Sequence, residues 1–311
     1  MRIETKFSKT RLAPTPSGYL HLGNIFSFSV TAALARRAGA TILLRIDDLD
    51  RDRMKREYVE DIFESLRFLG IPWDEGPRDI TELERSWSQI HRLHLYREAL
   101  QQLREEGKIF ACDCSRLKVR RETSDGAYSG TCREKGLALD LAGCSWRVRT
   151  EGVGRVGSTG VSAAARGAVR SELTGVSAAA PGAGLPAEMI DFIVRKKDGF
   201  PAYQLTSLVD DLHFGIGLVV RGEDLRASTA AQQWLAAELG REEFRHIRFI
   251  HHPLLTDEGT EKMSKSAGSQ SVQFLRRHGV KPADIYSRIA RRLGVVDPVA
   301  NWQELAEAAG Y

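Results

Sequence analysis

The 311-residue sequence lacks the features that mark several classes of protein. It has no run of 18 uncharged apolar residues, and its first residues lack the apolar core of a signal peptide, so we expect neither a membrane span nor a secretory leader. Its 28 glycines follow no three-residue period and it has only 4 cysteines, which excludes collagen-like proteins and disulfide scaffolds. We therefore expect a cytoplasmic protein whose thiols are reduced.

The composition that remains is that of a folded protein. Hydrophobic residues make up 42% of the chain and charged residues 28%, and the length predicts about two domains. Lys and Arg number 45 against 41 Asp and Glu, a formal net charge of +4. This mildly basic balance permits a polyanionic partner without requiring one.

Strand and helix patterns alternate along two stretches of the chain. Apolar runs predict strands at 41–46, 192–195, 216–220 and 247–250. Helical spacing predicts helices at about 24–38, 56–69, 86–106, 203–211 and 227–239, the first of them closed by Gly39. An α/β protein with a Rossmann-type, doubly wound parallel sheet, interrupted by an insertion, fits this alternation.

The predicted division of the chain has four parts. They are a first half of the catalytic domain (1–106), an inserted cysteine-bearing subdomain (107–188), a second half (189–269) and a short helical tail (270–311). Within the insertion, residues 154–185 contain 19 Gly, Ala and Ser among 32 residues and no aromatic residue, so we expect this segment to be flexible. Residues 159–168 and 174–183 match at nine of ten positions, which indicates a slipped duplication rather than a solenoid.

Two motifs suggest phosphate chemistry. A Pro- and Gly-rich turn opens the first helix, where Gly18 and Gly23 let a ligand approach the backbone and His21 can donate a hydrogen bond to a phosphate at the helix N-terminus. Lys262 and Lys265 lie three residues apart and can bracket a triphosphate as pyrophosphate leaves. Each motif alone more often has no role in phosphate binding: the first is usually a plain turn, and the second is usually a solvated surface.

The cysteines form a third motif. Cys112, Cys114, Cys132 and Cys144 lie within one 33-residue stretch. Clustered cysteines in a cytosolic protein suggest zinc before a disulfide, and four thiolates would complete a tetrahedral site. Buried, reduced cysteines without a metal are the simpler alternative.

Taken together, five blocks of sequence resemble the catalytic domain of class I glutamyl-tRNA synthetases. They are residues 10–18 (TRLAPTPSG), 21–24 (HLGN, in the place of the family's HIGH motif), 45–50 (RIDDLD), 220–225 (VRGEDL) and 262–266 (KMSKS). The similarity covers about residues 8–150 and 190–270. Five dispersed blocks in the family's order are far more specific than any one of them.

The resemblance implies an enzyme that uses ATP, Mg²⁺ and L-glutamate and transfers glutamyl to tRNA. It implies catalytic roles for His21, Lys262 and Lys265, glutamate binding by Arg11, Ala13, Thr15, Asp47, Tyr203 and Arg221, and ATP binding by Gly18, His21, Gly23, Asn24 and Lys265. Arg11 and Arg221 would bind carboxylates, because guanidinium groups form fork-shaped, charge-assisted contacts with them. Asp47 would receive the α-ammonium group, although the family has the longer Glu at this position.

The resemblance also refines the metal site and the acceptor. Cys112, Cys114, Tyr128 and Cys132 fit the zinc site of the short paralogous family, the glutamyl-Q tRNA(Asp) synthetases, so Zn²⁺ is expected in the inserted subdomain. Those paralogues lack the anticodon-binding domain, and we expect none here after the KMSKS motif. The implied acceptor is thus the queuosine base of tRNA(Asp) rather than tRNA(Glu). Ser17 favours the paralogue, whereas the complete KMSKS motif favours the parent family.

Two alternatives remain open at this point. One is a truncated or discriminating glutamyl-tRNA synthetase that charges the tRNA 3′ end. The other is a catalytically inactive relative that only binds RNA, against which the intact His21 and both motif lysines argue.

Overall fold

The computed structural model of the protein describes residues 7–123, 127–150, 155–156, 184–255 and 271–311. Its strands are β1 (Lys9–Leu12), β2 (Thr41–Leu44), β3 (Ile109–Cys112), β4 (Ser145–Val148), β5 (Arg155–Val156), β6 (Leu185–Pro186), β7 (Ile193–Arg195), β8 (Leu218–Gly222) and β9 (Arg248–His252). Its helices are α1 (Leu22–Ala38), α2 (Arg56–Phe68), α3 (Ile80–Glu82), α4 (Leu93–Glu105), α5 (Arg116–Glu122), α6 (Tyr203–His213), α7 (Arg226–Glu238), α8 (Val272–Arg277), α9 (Pro282–Arg292) and α10 (Trp302–Ala308).

Four parallel strands, in the order β2-β1-β8-β9, form the sheet that positions the candidate site. Helix α1 carries the chain from β1 to β2 on one side, and α7 carries it from β8 to β9 on the other. The Thr10 hydroxyl donates to the Leu218 carbonyl at 2.8 Å across the central strand pair. Strand order therefore reverses between β1 and β8, and parallel sheets bind ligands at the carboxyl edge of such a reversal. The predicted Rossmann-type doubly wound sheet is confirmed.

Both faces of this sheet are covered by helices. Ile42, Leu44 and Val220 point into a core shared with α1, α2, α9 and α10. Leu43 and Val219, the alternate residues, point into a second core shared with α4, α6 and α7. Alternation of this kind follows from the two-residue period of a strand, and burial on both faces explains the nearly continuous apolar runs in the sequence.

A second, antiparallel sheet has the order β3-β4-β7. Its strand β7 lies in the stretch 189–269, yet it pairs with β4 of the stretch 107–188. Trp146 and Val194 from this sheet join the core formed with α6 and α7. The two stretches thus share a sheet and a core, and their division into domains stays a prediction. A parallel pair, β5 with β6, lies beside α7.

The predicted helix at 86–106 is wrong in its first part, because α4 begins only at Leu93. Residues Gln89–Arg92 form a 3₁₀ turn instead. The Ser88 hydroxyl and the Gln89 N–H donate to the Asp48 carboxylate at 2.5 and 2.8 Å, and this tie to a distant segment redirects the chain. Tertiary hydrogen bonds here override a helical pattern.

The C-terminal tail is helical, as expected, and it packs against α1. Trp302, Leu305 and Tyr311 are buried in the core on that face. Among the described residues, no helix combines the length and apolarity that crossing a bilayer requires. Most of the Gly/Ala/Ser segment 154–185 and the KMSKS motif lie outside the described residues.

Candidate active site

A cleft of about 510 Å³ opens at the carboxyl ends of β1 and β8. Nine of the predicted site residues line it, namely Arg11, Ala13, Thr15, Gly18, His21, Gly23, Asn24, Tyr203 and Arg221. The structure therefore brings together residues up to 210 positions apart in the chain, and their roles stay predictions. Lys262 and Lys265 lie outside the described residues.

One end of the cleft is the N-terminus of α1, where His21 is the N-cap residue. Its Nδ1 accepts a hydrogen bond from the Gly23 N–H at 3.1 Å, and Asn24 Oδ1 accepts from the His21 N–H at 3.0 Å. Since Nδ1 is the acceptor, the ring proton resides on Nε2, which can donate to a ligand. Desolvation lowers the pKa of His21 and keeps the imidazole neutral, despite the opposing effect of Asp224. No acidic residue in the first turn weakens the attraction of this helix end for phosphate.

Gly23 packs closely against the His21 ring. A Cβ at residue 23 would lie 3.0 Å from both Nδ1 and Cε1 of that ring. The ring would have to move before any larger side chain could fit. Gly18 differs, because a Cβ there would meet nothing within 4 Å and would project into open space.

The other end of the cleft contains Arg221, which is 4% exposed. Its Nη atoms donate to Gln232 Oε1 at 3.0 Å, to the Thr229 hydroxyl and to the Tyr203 hydroxyl at 3.4 Å. Its Nε is buried and has no hydrogen-bond partner. Burial lowers the pKa of Arg221, and no carboxylate in the described part of the chain lies within ion-pair distance. A buried guanidinium without an anion is costly, which points to an anionic ligand.

Arg11 is buried nearby but has a partner in the protein. Its Nε lies 3.3 Å from Asp211 Oδ1, and the same oxygen accepts from Arg45 Nη1 at 2.7 Å. The other oxygen, Asp211 Oδ2, is buried without a hydrogen bond. Asp211 thus holds Arg11 through Nε, and Arg11 is one of the residues that line the cleft.

Asp47 lies beside this cleft and is not among the residues that line it. It lies in a neighbouring cavity of about 280 Å³, which shares Thr15 and Tyr203 with the cleft. Both of its oxygens accept from Arg45, at 2.7 and 3.2 Å. Burial raises the pKa of Asp47, although Arg45 opposes the shift. A carboxylate offers about four acceptor positions, so the predicted contact with an α-ammonium group stays a prediction.

The sequence analysis did not identify four residues that hold the site together: Arg45, Asp211, Thr229 and Gln232. Charged residues inside apolar patterns were the available signal. Arg45 directly follows the buried β2, and Asp211 lies with Asp210 between the apolar residues Val209 and Leu212 of α6. Charged side chains are almost never fully buried unless they are paired, so such positions indicate a buried ion pair.

The predicted metal ligands form a separate cluster. The Sγ atoms of Cys112, Cys114 and Cys132 lie within 4.8 Å of one another, and Cys114 and Cys132 are 3.4 Å apart. Sulfur ligands on one zinc ion lie roughly 3.8 Å apart, given Zn–S bonds of about 2.3 Å, so the donor set fits zinc. The Tyr128 phenolic oxygen accepts from the Cys132 N–H at 2.7 Å, whereas Cys144 is outside this group of thiols.

The thiols are crowded as well as buried. Burial and the neighbouring Cys132 thiol raise the pKa of Cys114 to about 12. Burial also raises the pKa of Cys112, but hydrogen bonds from Arg147 and Tyr128 outweigh it and the net shift is downward. A bound cation would favour the thiolate form of all three cysteines.

Basic residues connect the cleft to this cluster. The small cavity beside Tyr203 shares Arg116 and Lys196 with a further cavity of about 620 Å³, which extends to Cys114. Arg120 and Lys197 also line that second cavity. Acidic residues are present too, Asp50, Asp52 and Asp198. Shared lining residues thus place three cavities side by side, from the cleft to Cys114.

Comparisons with known proteins assign this arrangement to a family. The family described as tRNA synthetases class I (E and Q), catalytic domain, matches residues 8–310. The chain is 37% identical over 297 residues to a glutamyl-Q tRNA(Asp) synthetase of Synechococcus sp., covering 93% of this chain and 84% of that protein. It is 33% identical over 319 residues to glutamate–tRNA ligase 1 of Ruegeria pomeroyi, covering 96% of this chain and 63% of that protein.

A solved structure is similar in fold. The glutamate–tRNA synthetase of Elizabethkingia anophelis superposes with a TM-score of 0.69 at 20% identity, over 97% of this chain and 65% of that chain. The family match spans nearly the whole sequence and includes all the blocks identified above. The chain belongs to the class I tRNA synthetases of the glutamate and glutamine family.

Proposed function

We propose that this protein activates L-glutamate with ATP and transfers the glutamyl group to tRNA. The observation that carries the proposal is the cleft between β1 and β8, with two buried arginines at one end and the N-terminus of α1 at the other. A dicarboxylic amino acid suits the first end and a polyphosphate suits the second. An amino acid carboxylate and a nucleotide would thus meet in one place.

In the first step, an oxygen of the glutamate α-carboxylate attacks the α-phosphorus of ATP. A P–O bond forms, the bond to the β-phosphate oxygen breaks, and pyrophosphate leaves. The protein contributes position and charge: Arg11, Arg221 and Tyr203 orient glutamate, and His21 Nε2 and the helix N-terminus hold phosphate oxygens. Lys265, with Lys262, is assigned to the developing charge from the KMSKS motif alone.

The metals have separate roles in this proposal. Mg²⁺, when bound to ATP, neutralises phosphate charge. Zn²⁺ would be held by Cys112, Cys114 and Cys132, with Tyr128 as the fourth ligand, and would have a structural role in the inserted sheet. The three clustered thiols support this set over one that includes Cys144.

We propose the queuosine base of tRNA(Asp) as the acceptor. The Synechococcus relative carries the name of that activity, and it is more similar in sequence than the Ruegeria ligase. The cyclopentenediol of queuosine presents a hydroxyl pair like that of a terminal ribose, so a synthetase cleft can accept it. The basic side chains of Arg116, Lys196 and Lys197, which line the cavity next to Cys114, would contact the RNA backbone, and binding should weaken as salt rises.

One alternative has an observation in its favour. Glutamate–tRNA ligase 1 of Ruegeria pomeroyi is 33% identical over 96% of this chain, so charging of tRNA(Glu) at its 3′ end is the second candidate. In either case ATP, glutamate and tRNA would be the substrates, and we propose a cytoplasmic enzyme.

Incorporation of labelled glutamate into tRNA from cells with and without queuosine tests the proposal. We expect label only in queuosine-containing tRNA(Asp), and nuclease digestion should release it with the modified nucleoside. Equal labelling of both tRNA pools, or label released with the 3′-terminal adenosine, would instead establish the ligase. Absence of glutamate-dependent pyrophosphate exchange, with tRNA present, would reject both enzymes.

A further inference from the structure

One buried polar atom in the cleft is used by neither the glutamate end nor the helix N-terminus. His252, the last residue of β9, is 3% exposed and lines the cleft. Its Nε2 has no hydrogen-bond partner among the described residues. Leaving such an atom unpaired costs the desolvation of that group, so a partner from a ligand is the expected explanation.

The other ring nitrogen decides what kind of partner Nε2 needs. Nδ1 of His252 lies 2.9 Å from the Pro253 carbonyl oxygen. A carbonyl oxygen can only accept, so Nδ1 carries the proton and Nε2 presents a lone pair. Burial lowers the pKa of His252 against the effects of Pro253, Asp224 and Glu223, which keeps the ring neutral. Nε2 therefore requires an N–H or O–H donor.

The surroundings of His252 hold the ring in place and leave room for a ligand. The ring packs edge-on against Phe26, with centroids 4.8 Å apart. Gly222 is its partner in the β8–β9 register, and a Cβ there would overlap the Asp224 carboxylate and lie 3.0 Å from Leu254. His252, Asp224 and Leu254 thus converge around a position where β8 has no side chain, at the carboxyl edge of the sheet.

We propose that Nε2 of His252 accepts a hydrogen bond from the nucleoside part of ATP and so helps to select the nucleotide. This rests on the proposed function, since ATP must occupy the cleft. Phosphate oxygens carry no donor at neutral pH, which leaves the ribose hydroxyls and the adenine amino group. A site built around a hydrogen bond discriminates strongly against an analogue that lacks the group.

The test compares dissociation constants measured by calorimetry without glutamate. The nucleotides are ATP, 2′-deoxy-ATP, 3′-deoxy-ATP and inosine triphosphate, which lacks the amino group. For the wild type we expect ATP to bind roughly tenfold tighter than the one analogue that lacks the donor, because a tenfold difference corresponds to the net free energy of about one hydrogen bond. In His252→Phe, which keeps a ring against Phe26 but removes the acceptor, that ratio should fall below about twofold.

Two further variants separate hydrogen bonding from packing. His252→Gln keeps an acceptor and should restore most of the discrimination. Tyr311→Phe alters another ring that contacts Phe26, at a centroid distance of 6.2 Å, and should leave the ratio unchanged. If His252→Phe does not fold, His252→Leu takes its place.

The outcomes distinguish this inference from the proposed function. Equal binding of all four nucleotides by the wild type, or the same discrimination in wild type and His252→Phe, overturns the role of His252 and leaves ATP binding standing. A wild-type protein that binds no ATP overturns both.

Discussion

Arg221 offers the sharpest perturbation of the candidate site. The change is Arg221→Met, which removes the guanidinium but keeps an unbranched side chain of similar length. In the protein, Arg11 has Asp211 as an ionic partner, whereas Arg221 has only neutral partners among the described residues. Its charge should therefore be neutralised mainly by the substrate, and the variant should lose most of its affinity for glutamate.

The size of the expected loss of glutamate affinity follows from the burial of the pair that Arg221 would form with a substrate carboxylate. Truncating one partner of a desolvated, hydrogen-bonded charge pair costs at least about 2 kcal/mol, or roughly thirtyfold in affinity. For the wild type, glutamate at 100 times its dissociation constant should raise the free energy of unfolding by about 2.7 kcal/mol. At the same concentration, the variant should gain only about 0.9 kcal/mol. For a chain of 311 residues these are shifts in Tm of about 4 °C and about 1 °C.

The assay is thermal unfolding with increasing glutamate, repeated with glutamine. Arg226→Met is the matched control, because Arg226 is exposed at the start of α7, only five residues away. It should show the full wild-type shift. The reasoning is refuted if Arg221→Met is stabilised by glutamate as strongly as the wild type, or if the wild type responds equally to glutamate and glutamine.

Three further predictions concern other parts of the molecule. Gly23→Ala should displace the His21 ring and lower pyrophosphate exchange at least tenfold while leaving Tm within about 2 °C; wild-type exchange would show that the ring position is unimportant. Elemental analysis should find one equivalent of zinc in the wild type and in Cys144→Ser but none in Cys132→Ser; loss of zinc in Cys144→Ser alone would reject the ligand set. Lys265→Ala should remove about 3 kcal/mol of barrier stabilisation and so lower pyrophosphate exchange more than about a hundredfold; a loss below about tenfold would contradict the role of Lys265 in the KMSKS motif.

Features that depend on local sequence could be predicted well. Gly39 ends α1 with a φ of 64°, as its position after a helical pattern indicated. Apolar runs predicted three strands of the parallel sheet, β2, β8 and β9, because strands buried on both faces tend to be apolar. The central strand β1 was not predicted, because its sequence KTRL is largely polar. Three of the motif blocks (10–18, 21–24 and 220–225) likewise identified eight of the nine predicted residues that line the cleft, since these blocks lie at strand ends or at a helix start.

Features that depend on distant pairing could not be predicted. Arg45 donates a hydrogen bond to Asp211, which lies 166 residues further along the chain, and no sequence pattern relates the two residues. The start of α4 depends in the same way on Asp48, which binds the segment before it. Spacing alone also left Cys144 as a candidate ligand; the family resemblance favoured Tyr128 instead, and the distances between sulfur atoms now separate Cys144 from the other three cysteines.

The balance of buried charge gives a physical reason for glutamate over glutamine. Ion pairs beneath the cleft join the buried arginines Arg11, Arg45 and Arg92 to the buried aspartates Asp47, Asp210 and Asp211. Arg221 is buried as well, but its hydrogen bonds among the described residues go to neutral side chains. Glutamate would bring a side-chain carboxylate to this arginine, whereas glutamine brings a neutral amide and would leave a guanidinium both buried and unpaired. Because an unpaired buried charge costs more than a lost neutral contact, the site itself disfavours the amide, whichever tRNA receives the product.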